Sequence, residues 1–201
     1  MKNAKIFLVH GKRNLTPMIE TAYEREDDLQ ALLADYPDLL PGDQIDPENP
    51  RRWLLVAREL GVPGNDDETG RWSLDHLFLD QDGTPTFVEC KRATDTRGRR
   101  EVVAQMLDYA ANGTSYWKMD SLRQSAAESA QKRGELLDDE ILRLIDSDDP
   151  SQIDEFWMRV EEKLRSSNVR LVFVADAIPS ELRKLVEFLN EQMNTVDVLA
   201  V

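Results

Sequence analysis

The strongest constraint on the fold is a pair of apolar runs, residues 72–80 and 84–91, separated by Gln81-Asp82-Gly83. Asp-Gly between β-prone runs signals a hairpin, because glycine takes the positive φ that a tight turn of the right twist requires. With Asp82 at the centre, positions adding to 164 lie opposite each other, and Asp75 faces Glu89. Residues two apart on a strand share a face, so Glu89 and Lys91 point the same way. Three ionisable groups thereby converge on one face of a hairpin otherwise built from Leu, Phe and Val.

Burying charge in such a place is costly unless something compensates it. Two adjacent carboxylates repel, a divalent cation is the usual remedy, and oxygen ligands suit Mg²⁺ or Mn²⁺. The spacing predicts Asp75 and Glu89 as metal ligands, with the backbone carbonyl of Cys90 beside them. Lys91 is placed to steady an attacking water or charge developing on a phosphate. The plain alternative is a surface cross-strand salt bridge, and Leu77, Leu79, Phe87 and Val88 make a solvent face a poor fit for it.

Around this unit the periodicity alternates between helix and strand. Residues 4–9 read as a short strand before Gly11. Leu29, Leu32, Leu33 and Tyr36 recur at helical spacing from Glu24 to Tyr36, and Pro37 closes that helix. Glu26 precedes Leu29 by three and Leu33 by seven, which sets an acid on the apolar face as a supporting group for the metal site. Residues 52–59 read as a strand, followed by a loop at Gly61, Pro63, Gly64 and Asn65. After the hairpin, Arg99 to Asn112 carries a helical stripe, with Asn112-Gly113 as its expected stop. Gln105 and Tyr109 lie one turn apart on it and share a face.

Residues 115–167 read as polar helices broken near Gly134 and at Asp148-Asp149-Pro150, a helical insertion or lid. A buried strand over 169–175, a helix from Pro179 and a strand over 196–201 follow. The expectation is an α/β chain, 1–201 forming a single domain, with its core at about 20–114 and 168–201. The last strand runs to the chain end, so a longer protein with a further C-terminal domain is expected.

A net charge of −14 argues against a simple nucleic-acid binder, since phosphate contacts favour a positive surface. The charge is uneven, however. Residues 20–48 hold ten acids and one base, whereas Lys91, Arg92, Arg97, Arg99 and Arg100 stand against Asp95 alone. Arg92, Arg97, Arg99 and Arg100 are candidates for phosphate contact; Lys12 and Arg13 are weaker ones. Cys90 is the only cysteine, which excludes an internal disulfide, and no apolar run could span a bilayer or serve as a signal-peptide core. The expected location is cytoplasmic, without a membrane partner. His10 and His76 read as core or surface rather than metal ligands, and the four tryptophans are too scattered for a base-stacking platform.

Asp75, thirteen intervening residues, then Glu89-Cys90-Lys91 resembles the D…ExK signature of the PD-(D/E)XK nuclease superfamily. Leu74 stands where the namesake motif has proline. Gln105-Met106-Leu107-Asp108-Tyr109 resembles the QxxxY element of its RecB-like branch, and the acidic run from Glu26 followed by Pro37-Asp38-Leu39-Leu40 resembles the first helix of NucS-like members. The resemblance implies a restriction-endonuclease-like αβββαβ core, a central mixed sheet flanked by helices, and Mg²⁺- or Mn²⁺-dependent hydrolysis of phosphodiester bonds in DNA. Asp75, Glu89, Lys91, Glu26, Gln105 and Tyr109 would then carry the chemistry. The rival expectation is a catalytically silent module of the same fold that binds nucleic acid or a protein partner. A homodimer is left open.

Overall fold

The hairpin expected from Asp82-Gly83 is the centre of the sheet. In the computed structural model, which describes residues 6–11, 14–19, 21, 23–65, 71–92 and 99–201, β4 (Trp72–Asp80) pairs antiparallel with β5 (Pro85–Lys91). Their partners run from His76 opposite Val88 to Leu79 opposite Pro85, all on the expected register. Gly83 adopts φ +76°, and the turn is locked by the buried Asp80, whose Oδ1 accepts from the backbone N–H of Asp82 and of Thr84.

β3 (Trp53–Val62) pairs antiparallel along the outer side of β4, while β6 (Val169–Ala175) and β7 (Val196–Ala200) join β5 in parallel. The sheet order is therefore β3-β4-β5-β6-β7, a five-stranded mixed sheet flanked by helices. β3 extends past the expected loop at Gly61, because Gly61 and Val62 continue the ladder opposite Ser73 and Trp72. A register shift between Leu55 and Ala57 leaves Val56 as an extra residue, and its carbonyl is taken by the Ser129 hydroxyl at 2.8 Å. A separate two-stranded hairpin, β1 (Ile6–His10) with β2 (Asn14–Met18), precedes the sheet.

Helices cover the two faces unequally. On one side α1 (Glu26–Asp35), a 3-10 turn at Pro37–Leu39 and the short α2 (Gly42–Ile45) lead into β3; Leu29, Leu33 and Leu40 pack with Leu55, Phe78, Val88, Cys90 and Val172. The other face carries α3 (Arg99–Tyr116), α4 (Met119–Lys132), α5 (Leu137–Ile145), α6 (Gln152–Arg165) and α7 (Ser180–Gln192). Met106, Leu122, Ala126, Ile141, Phe156, Trp157 and Val160 from these helices share a core with Leu77, Leu79, Phe87 and Leu171 of the sheet.

Two further sequence expectations change here. Residues 115–167 do not stand off as a lid, because most of their apolar residues are buried against the sheet as one of its layers, Leu136 and Met158 remaining exposed. Nor does Gly113 stop α3, which runs on to Tyr116. Its missing side chain instead makes room for Trp117: a Cβ there would lie 2.8 Å from the indole ring. Trp117 stacks on Phe87 at 5.1 Å between ring centroids and donates its Nε1–H to the Gly61 carbonyl at 2.9 Å. Among the described residues, no helix is long and apolar enough to cross a membrane.

Candidate active site

Four elements bring polar groups to the end of the sheet where β5 finishes. β4 supplies Asp75, β5 supplies Glu89 and Lys91, the first turns of α1 supply Glu26 and Gln30, and α3 supplies Gln105 and Tyr109. The carboxyl ends of parallel strands are where ligands bind in open α/β sheets.

Extending the observed register one step places Asp75 across from Glu89. Asp75 is half-buried, and its Oδ2 accepts the Cys90 backbone N–H at 2.8 Å. Glu89 is only 2 % exposed; its Oε1 lies 3.3 Å from the Lys91 ammonium, while its Oε2 is buried with no hydrogen-bond partner among the described residues. Lys91 Nζ also donates to Glu26 Oε1 at 2.9 Å. Sequence spacing thus predicted the meeting of Glu26 with the hairpin groups, through its place on the inner face of α1.

The electrostatics follow from burial and like charge. Glu89 is pushed up to about 7, first by burial and then by the Asp75 carboxylate, with Lys91 opposing. Asp75 is raised as well: burial and the charge of Glu26 outweigh the hydrogen bonds from Cys90 and Gln30 and the Lys91 charge. Burial alone would lower the Lys91 ammonium, but the hydrogen bond to Glu26 and the charges of Glu89, Glu26 and Asp75 raise it and hold it ionised. With all four groups ionised, three carboxylates face one ammonium.

Gln105 and Tyr109 hydrogen-bond each other, amide to phenol, on the inner side of α3. Tyr109 is buried, which raises its phenol, and it feels the charges of Glu89, Asp75 and Lys91. The QxxxY pair therefore adjoins the cluster. Cys90 is fully buried in the α1-side core, its thiol raised mainly by burial, and only its backbone engages the site. Arg92 donates to the Glu24 carbonyl at 2.7 Å, which ties the end of β5 to the approach of α1. Arg97, Lys12 and Arg13 lie outside the described residues, and of Arg99 and Arg100 only the backbone, opening α3, is described.

Gln30 escaped the sequence reading. It is buried one turn after Glu26, and its side-chain amide helps to lower the Asp75 carboxyl. Its Oε1 accepts from Arg58 Nη2 at 3.3 Å. Its backbone carbonyl meets His76 Nε2 at 2.8 Å, so that nitrogen carries the proton. The one signal for it is its i, i+4 spacing from Glu26, which becomes informative only once Glu26 is set facing the strands. His76 itself is fully buried and stacked on Phe78, a core histidine as expected.

Among the described residues, no group of three or more His, Cys, Asp or Glu side chains is arranged to hold a metal. The available donors are the two carboxylates of Asp75 and Glu89, since Lys91 engages Glu26. They still fit a hard divalent cation: a buried carboxylate oxygen lacks a partner, and the cluster has excess negative charge. No protein-family model, curated protein or solved structure matches this chain.

Proposed function

We propose that the chain is a metal-dependent nuclease that hydrolyses phosphodiester bonds in DNA, built on a restriction-endonuclease-like core. The observation that carries this reading is the convergence of Asp75, Glu89 and Lys91 at one end of β4 and β5, with Glu89 Oε2 buried and without a partner among the described residues. The order α1, β3, β4, β5, α3, β6 supports it, since this follows the αβββαβ succession of that superfamily once the short α2 before β3 and the three helices α4, α5 and α6 before β6 are set aside as additions. The adjoining Gln105–Tyr109 pair supports it too.

Asp75 and Glu89, with the Cys90 carbonyl, would hold Mg²⁺ or Mn²⁺. Bound there, the ion supplies positive charge to a phosphodiester whose negative charge grows in the transition state. The Cys90 N–H orients Asp75 for this work. Lys91, one-third exposed and ionised, presents an ammonium that can exchange Glu26 for a phosphoryl oxygen or an attacking water. The basic run of Arg92, Arg97, Arg99 and Arg100 supplies, by sequence, positive charge for the DNA backbone beside an otherwise acidic surface.

The test is cleavage of labelled single- and double-stranded DNA with Mn²⁺, Mg²⁺ or EDTA, comparing wild type with Glu89→Ala and Lys91→Ala. Metal-dependent cutting by wild type should fall at least 100-fold in each variant, on the scale of losing one electrostatic catalytic group. Undiminished cutting by Glu89→Ala sinks the proposal. One observation favours a silent binding module instead: Lys91 already neutralises Glu26 and partly neutralises Glu89 within the protein. Wild-type binding to DNA without cutting under any of these metals would select that reading.

A further inference from the structure

We infer that the N-terminal hairpin is a self-association element whose occupant is the α1 surface of a second copy of this chain. β1 and β2 form a sheet of two strands separate from the main sheet. Cross-strand pairing of Ile6 with Met18 and of Val9 with Leu15 puts Ile6, Leu8 and Met18 on one face, and Phe7, Val9 and Leu15 on the other. Both faces are open: Ile6 is 68 % exposed, Val9 62 %, and Ile19 just beyond the hairpin 82 %. A two-stranded hairpin is at best marginally stable in water and needs a third layer or partner. Apolar side chains are exposed on both faces, and among the described residues none of the same chain covers them.

The partner is indicated by charge. Residues 1–19 contain Lys2, Lys5, Lys12 and Arg13 and no acid, so all 39 acids of the chain lie beyond them. Residues 20–48 are the opposite, with ten acids and one base. That stretch includes α1 and the following 3-10 turn, where Leu32, Tyr36 and Leu39 are exposed, Tyr36 by 62 %. Exposed Asp35 and Asp38 lie among them. Both surfaces expose apolar side chains, their charges are opposite by sequence, and among the described residues both stay uncovered. A two-fold arrangement satisfies both surfaces twice, each hairpin lying on the other copy's α1. Nucleic acid suits the hairpin's basic charge but gives no cover to its six apolar side chains.

This inference is independent of the nuclease reading, and it is tested by solution mass. Light scattering at tens of micromolar should give twice the 23.1 kDa chain mass. Deleting residues 1–19, or combining Tyr36→Asp with Leu39→Asp, should give a monomer with an unchanged circular dichroism spectrum. Under mild oxidation, mixing a Val9→Cys chain with a Tyr36→Cys chain should yield the mixed disulfide, since the native Cys90 is buried. A monomeric wild type overturns the inference, whether or not the deletion weakens DNA binding. So does a dimer that survives the deletion, and so does a predominant Val9-to-Val9 disulfide, which would mean that hairpins pair with each other.

Discussion

At the residue scale, two buried groups titrate against each other. His76 is held neutral, its pKa lowered to about 4 from 6.5 mainly by burial, while Glu89 is raised to about 7 from 4.5. For His76 the unfolded chain binds the extra proton, so its contribution is complete above pH 6.5 and is lost as pH falls toward 4. For Glu89 the folded chain binds the extra proton, so stability is present below pH 4.5 and is lost as pH rises through 7. Each amounts to at most about 3 kcal/mol, and the two oppose each other over nearly the same range. In EDTA, Glu89→Gln should therefore gain stability relative to wild type as pH rises from 4.5 to 7, by up to about 3 kcal/mol. Urea midpoints at a series of pH values measure this, and a difference that does not change with pH would show that Glu89 is not held protonated by its surroundings. The period-two logic of the hairpin made the Asp75–Glu89–Lys91 face readable in advance. Gln30 was not read, because a glutamine on an amphipathic helix looks like solvent-facing polarity until the strand below it is placed.

At the element scale, α3 shows how local punctuation yields to packing. Asn-Gly is a sound helix stop when nothing else acts on it. Here Gly113 is inside the helix and is required by the indole of Trp117, which holds both Phe87 and the Gly61 carbonyl. The two explanations for the glycine make opposite predictions. Gly113→Ala gains about 1 kcal/mol of helix propensity, but forces the indole off its seat at a cost of about 1–3 kcal/mol. The single variant should be destabilised. In a Trp117→Leu background, where the clash is relieved, Gly113→Ala should become neutral or stabilising. A thermal-unfolding double-mutant cycle decides this. If Gly113→Ala is equally harmful in both backgrounds, the glycine is needed for its backbone and not for the space beside it.

At the scale of the whole molecule, α4, α5 and α6 were the least legible part. Their sequence looks polar because α4 meets β3 through small residues: Ala126 and Ala130 are fully buried, and the buried Ser129 satisfies the carbonyl left over at Val56. Small side chains give little amphipathic signal, and the sheet face they cover is more than fifty residues away in sequence. An insertion or lid could be removed without unfolding the rest. A layer could not, since Leu122, Ile141, Leu144, Phe156, Trp157, Val160 and Leu164 share one core with the central strands. Burial of each such large side chain contributes about 1.5–3 kcal/mol, so the set is as large as the about 5–15 kcal/mol net stability of a domain. Replacing residues 117–167 with a short Gly-Ser linker should therefore abolish the cooperative thermal transition. Phe156→Ala should lower stability by about 3–5 kcal/mol as a graded version of the same loss. A linker variant that still melts sharply would mean that strands β3 to β7 with α1, α3 and α7 fold alone, and that these helices serve the site rather than the core.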